Sequence, residues 1–170
     1  VFPYRTHILS KPDFEVALET FKRRRNRDTG GWRQDAVQAA MLGLTDEARK
    51  FLVRNVTTEC TLGGLFKDQK DVMRFPGFWG PNMDWIPDQD HASIILLTLQ
   101  RMLMLTDGDT INLLPAWPKD WNTTFKLHAP YKTVVEGRVE GGKVVALKVT
   151  PESRRKDVLM KGEKLPAVSP

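Results

Sequence analysis

The chain has 170 residues, 41% hydrophobic and 28% charged, with a formal net charge of +5. That size allows one or two small cores and excludes a large multidomain enzyme. A single cysteine, Cys60, excludes an intrachain disulfide and a thiolate metal cluster, and no apolar run reaches the ~18–20 residues that span a bilayer.

Val1-Phe-Pro-Tyr-Arg-Thr-His7 carries neither an initiator methionine nor a signal-like segment. It reads as the middle of a folded protein, so a removed leader or a longer parent is expected. Residues 12 to about 25 are predicted helical. Pro12 suits a first turn, and Phe14, Ala17, Leu18 and Phe21 follow the spacing of one buried face. Asn26-Arg-Asp-Thr-Gly-Gly31 is a turn. A second helix is predicted from about Trp32 to Leu42, with Ala36, Ala39 and Ala40 permitting close packing and Gly43 ending it. Thr45 is the expected N-cap of a third helix, on which Ala48, Phe51, Leu52 and Val56 share a face.

Periodicity disappears from Cys60 to Asp90. His91 to Leu105 then reads as a helix apolar nearly all round, which predicts burial on most sides. After Thr106-Asp-Gly-Asp109, Ile111 to Leu114 looks like a short strand, followed by the corner Pro115-Ala-Trp-Pro118. Thr133 to Val139 and Lys143 to Thr150 flank Glu140-Gly141-Gly142, a strong hairpin signal. Val158 to Met160 adds a candidate strand, and Leu165 to Pro170 is expected to fray. The fold class is therefore α+β. A helical part (residues 1–106) joins an antiparallel β part (119–170) through a junction at 107–118.

Positive charge concentrates in Lys22-Arg-Arg-Arg25, Arg27 and Arg154-Arg-Lys156. Such patches can bind nucleic acid. Lys22 to Arg25, however, close a helix that opens with Asp13 and Glu15, which satisfies the helix dipole at both ends. Aromatics are missing from these runs, so no nucleic-acid partner is expected, and a basic nucleic-acid-binding protein is the third reading. Asn55-Val-Thr57 and Asn122-Thr-Thr124 match the glycosylation sequon.

The densest chemistry lies in Phe75-Pro-Gly-Phe-Trp-Gly-Pro-Asn-Met-Asp-Trp-Ile-Pro-Asp-Gln-Asp-His91. Aromatic faces beside carboxylates suit carbohydrate, which offers C–H faces and hydroxyls together. Asp88 and Asp90 point the same way in extended chain. A carboxylate at a helix N-terminus is favoured in its ionised form. Such a group can activate water for an inverting glycosidase, or simply cap the helix. Asp84 can hold a sugar hydroxyl or fix an Asx-turn. Trp79 and Trp85 are stacking platforms or fillers of the loop's own core. His91 can orient an acid, and Trp32 and Arg33, with Asp35, can line a cleft. Phosphate-loop, nucleophile-elbow and paired-histidine zinc motifs are absent, so neither cofactor nor metal is expected.

Asp90 opening an apolar helix, then Ile111-Asn-Leu-Leu-Pro-Ala-Trp-Pro118, resembles the end of the catalytic barrel in six-hairpin glycosidases. The nearest comparison is glycoside hydrolase family 95 and its relatives. Gly31-Trp32 before an Ala-rich helix resembles a barrel hairpin of that group. Phe78-Trp-Gly-Pro-Asn-Met-Asp-Trp-Ile-Pro-Asp-Gln-Asp-His91 resembles uncharacterised bacterial relatives. The resemblance spans roughly residues 1 to 160.

It implies a partial (α/α) barrel of helical hairpins followed by a small antiparallel β-sandwich portion. It also implies an inverting glycoside hydrolase and a periplasmic or extracellular location. The family's water-activating acid falls on Asp90, or on Asp88 after a slip of one or two residues. Where the family has Asp-Gly-Asn-Phe-Gly, this chain has Asp90-His-Ala-Ser-Ile94. The family's general acid, a glutamate on an earlier helix, has no match here; Glu19 and Glu59 lie on ordinary amphipathic stretches. A full barrel also has about a dozen helices, against about four predicted here. The expected partners are therefore carbohydrate and a missing N-terminal barrel segment or another subunit. Uncovered apolar faces are expected on residues 32–42 and 91–105. A non-catalytic carbohydrate-binding or scaffold module is the second reading.

Overall fold

The computed structural model describes residues 1, 4, 6–9, 11–25, 27, 33–57, 90–160 and 163–164. Helix α1 (Phe14–Arg23) forms where the spacing predicts it, with Ala17 and Phe21 buried. Glu15 lies in its first turn and Lys22 and Arg23 in its last, and the chain turns extended at Arg24. This matches charge to the helix dipole. Helix α2 (Asp35–Met41) buries Ala36, Val37, Ala39, Ala40 and Met41. It is covered on nearly all sides, so the uncovered face expected on this segment is not found there. Its small alanines let α2 pack against α3 and α4.

Gly43 ends α2 as predicted. Its φ of +71° is open to glycine without strain. Gly43 N–H donates to Ala40 O (3.1 Å) and Leu44 N–H to Ala39 O (2.9 Å), which satisfies the last carbonyls of α2. Leu44 O then accepts Ala48 N–H at 2.9 Å. Thr45 is therefore the first residue of α3 (Thr45–Thr57) rather than its cap, because the tight turn leaves no spare residue between the helices. Ala48, Phe51 and Leu52 are buried as expected, but Val56 is 50% exposed and Asn55 is only 3% exposed. Residues 48, 51, 52 and 55 form the true helical stripe. The buried Asn55 amide is consequently withdrawn from its sequon.

Helix α4 (Asp90–Leu103) passes without a linker into β1 (Met104–Asp107). The sequence predicted helix as far as Leu105. The structure ends it sooner because Met104 pairs with Leu113 and Leu105 with Asn112 across the antiparallel β1–β2 hairpin. Gly108 turns that hairpin at φ +54°. Among the described side chains of α4 one stripe is buried: Ile94, Thr98, Met102 and Leu103 are covered, while Leu96 is 59% and Leu99 36% exposed.

Strand β2 (Thr110–Leu113) runs into the corner at Leu114, whose φ is +56°. That value is uncommon for a branched side chain, more so before a proline. Backbone bonds hold it: Leu114 N–H donates to Leu103 O (2.8 Å) and Ala116 N–H to Met102 O (3.2 Å). The corner is thus pinned to the C-terminal end of α4.

Among the described residues the strands form two sheets. Strands β3 (Thr123–Ala129), β4 (Thr133–Glu140) and β5 (Lys143–Thr150) make an antiparallel sheet, with the predicted hairpin joining β4 to β5. Gly137 faces Phe125 across the β3–β4 pair, and a Cβ there would lie 2.6 Å from Phe125 Cζ. The glycine leaves room for the ring to lie over the strand. Strand β6 (Val158–Met160) does not extend this sheet. It pairs in parallel with β2, Ile111 opposite Val158, and antiparallel with β7 (Glu163–Lys164). This places β6 beside the strand that leaves the helical region, a pairing the sequence order does not reveal.

Arg154, in the 3-10 turn before β6, fastens these parts. It donates from Nη2 to Asp109 O (2.8 Å), from Nε to Thr133 Oγ1 (3.2 Å) and from Nη1 to Asp157 Oδ2 (2.6 Å), and stacks on Tyr131. Arg155 donates to Leu147 O. One apolar cluster of described residues runs from Phe21 and Phe51 through Met102 and Trp117 to Phe125 and Val149.

Candidate functional site

Asp90 and His91 open α4. A helix start carries free N–H groups and partial positive charge, which favours an ionised carboxylate in its first turn. The opposite end of α4 merges into β1. At ~1.5 Å per residue, its 14 residues separate the ends by about 20 Å. Asp84, Asp88, Trp79, Trp85 and Trp32 lie outside the described residues. Arg33 is exposed just ahead of α2. Asp35 does not line a cleft: it is buried and held by Arg24, whose Nη1 lies 2.8 Å from its Oδ1. Among the described residues, no three His, Cys, Asp or Glu side chains gather as a metal would need.

A cleft of about 860 Å³ opens at the other end of α4. Leu9 and Gly43 form its head, and Thr45, Asp46 and Arg49 of α3 form one side. Asn112, Leu113 and Leu159 line it from the sheet, and the corner from Leu114 to Asp120 closes it. A Cβ at Gly43 would sit 3.1 Å from Leu9 Cδ2 and 3.4 Å from Pro115 O, so glycine sets how closely the head approaches the corner.

Arg49 and Asp120 meet in a two-pronged pair, Nη1–Oδ1 and Nη2–Oδ2 both 2.8 Å. The Arg49 guanidinium lies 5.4 Å from the Trp121 ring centroid. Trp121 is edge-on to Trp117 at 5.5 Å, and Trp117 Nε1–H donates to Trp121 O. Behind this rim, Gly142 of the β4–β5 turn packs on Lys119, and Gly141 N–H donates to Asn122 Oδ1. The hairpin tip therefore props the corner from outside.

The Arg49 hydrogen bonds, followed by a backbone hydrogen bond, hold the Asp120 carboxyl below its ordinary titration range. A carboxylate whose folded pKa is depressed stabilises the fold above its ordinary value, and that contribution disappears as pH falls through the lowered one. The group is exposed, so salt screens the effect. Carboxyl carbon NMR is expected to show Asp120 titrating below exposed aspartates, and Arg49→Gln should raise its midpoint toward theirs. An unchanged midpoint in that variant would break the assignment.

The sequence reading passed over Asn112, Arg49 and Asp120. Residues 49 and 120 are 71 positions apart, so no local pattern links them. Asn112 was legible only as a polar residue inside the apolar run Ile111–Leu114. No protein-family model matches the chain, and neither a curated protein nor a solved structure does.

Proposed function

We propose that the chain is the C-terminal portion of a carbohydrate-active hydrolase, in which helical hairpins of an (α/α) barrel precede a small β-sandwich portion. One observation carries the reading. An acid opens α4, α4 leads directly into β1, and the returning strand β2 delivers Leu113-Leu-Pro-Ala-Trp-Pro118. That order of acid, helix and corner is the one the resemblance rests on. The α2–α3 hairpin packed against α4 suits the same architecture.

In this reading hydrolysis proceeds with inversion. Asp90 takes a proton from water on the face opposite the leaving group, with Asp88 as its alternative or assistant. Trp79, Trp85 and Asp84 shape the sugar site, with His91, Trp32 and Arg33 at its edge. The general acid comes from a further barrel segment or another subunit. Exposed Leu96 and Leu99 on α4 suit cover by such a segment. Sugar binding without cleavage is the second reading, favoured by His91-Ala-Ser93 where the family pattern has Gly-Asn-Phe.

The test is product stereochemistry. The full-length gene product, incubated with aryl glycosides and followed by proton NMR, is expected to release the anomer opposite to that of the substrate. Retained configuration would exclude the inverting base, and sugar affinity with no release would favour the binding module.

A further inference from the structure

We propose that the cleft between the α2–α3 turn and the Leu114–Asp120 corner binds a neutral saccharide at a site separate from Asp90. The proposal shares the ligand class of the function proposed above but none of its residues. Asn112 carries it. This side chain lines the cleft, is only 7% exposed, and its Nδ2 has no hydrogen-bond partner among the described residues. A buried N–H without an acceptor destabilises a fold, and an apolar side chain of similar size would avoid that cost. A ligand oxygen in the cleft supplies the missing acceptor once the amide turns to meet it, since Nδ2 itself is closed to solvent. Asn112 pairs in register with Leu159, which also lines the cleft, so the amide sits against apolar surface.

The remaining walls narrow the ligand class. Asp46 and Asp120 offset Arg49 and Lys119, so the lining favours neither an anion nor a cation. Acceptors and donors stand on the rim, while Leu9 and Leu159 are apolar. A ring with hydroxyls on its edge and C–H groups on its face uses all of these. The volume is in the range of small-molecule sites. The strained Leu114 adds to the case, since strained backbone gathers at ligand clamps. The corner is bonded to Met102 and Leu103 at the far end of α4. About 20 Å of helix therefore separates it from Asp90, and one ring cannot touch both. A sugar here is held away from the reacting bond.

Proton–nitrogen NMR of the full-length gene product, titrated with galactose, xylose, lactose and cellobiose, tests this, with glucuronate and glucosamine as charged controls. Saturable shifts of the Asn112 side-chain amide and of residues 113–120 are expected with a neutral sugar, and weaker ones with the controls. Asn112→Leu should weaken binding at least about tenfold. Leu159→Trp, which fills the cleft from β6, should do the same and serves if the first variant fails to fold. Asp90→Asn should leave the affinity unchanged. No saturable shift at these residues with any neutral sugar, a preference for a charged control, or equal affinity in the folded variants would overturn the proposal. Cleft binding without glycoside release would sink the hydrolase reading alone. Release without cleft binding would sink the present proposal alone.

Discussion

Replacing Asp90 by Asn is expected to lower glycoside turnover by about 10³-fold, within the range for a lost general acid or base. The loss should fall on kcat, with KM little changed, because in the proposed mechanism the carboxylate acts on water and not on the bound sugar. The substitution keeps size and shape and removes only the charge and the proton acceptor. An acid in a first helical turn stabilises the helix by about 0.3–1 kcal/mol through the dipole. Thermal stability should therefore fall only slightly. Near-wild-type turnover with a slightly lower Tm would make Asp90 a helix-start residue and nothing more. Should Asp88→Asn take the large loss instead, the water-activating role moves two residues earlier. Measuring kcat, KM and Tm for both variants of the full-length gene product separates the cases.

Replacing Arg24 by Met is expected to destabilise the fold by about 3 kcal/mol, as removing one partner of a buried ion pair does. Asp35 is 5% exposed in the first turn of α2. The Arg24 Nη1 lies 2.8 Å from both Asp35 Oδ1 and Gln38 Oε1. Its hydrogen-bond geometry favours Gln38, since Asp35 Oδ1 meets the charge without an aligned N–H. The carboxylate therefore depends on Arg24 mainly for charge. The value sits at the low end for such pairs because Arg24 is 36% exposed and water reaches its side. Adding Asp35→Leu removes the stranded charge and should recover most of the loss. Urea denaturation checks both variants. A double variant as unstable as the single one would show that packing around Arg24, and not the carboxylate, sets the cost.

The basic runs show how tertiary partners alter a sequence reading. Lys22 and Arg23 pair with Glu19, Arg24 with Asp35, and Arg27 with Glu47. Arg154 ties the 3-10 turn to the β1–β2 turn and to the start of β4, and Arg155 bonds a strand carbonyl. The run at 22–25 was legible as a helix C-terminus because charge order along one helix is local information. Its pairing across residues 24 and 35 was not.

Strand β3 was legible and passed over. Phe125 and Leu127 alternate with Thr124, Lys126 and His128, and Phe125 is buried. The end of α4 carried no such signal. Met102-Leu-Met-Leu105 is apolar throughout, so helical and strand periods cannot be told apart there. Leu113 and Asn112 decide it by pairing with Met104 and Leu105.

The residues alone determined whatever depends on neighbours within a few positions. Helices α1, α2 and α3, the stop at Gly43, and the β4–β5 hairpin all follow from spacing, small side chains and turn glycines. Tertiary structure decided where distant segments meet. The parallel entry of β6 beside β2, the Arg49–Asp120 rim and the cleft with its buried Asn112 amide each join residues far apart in the chain. A local pattern records only the conformations one segment favours, whereas these features depend on which surfaces become neighbours once the core has closed.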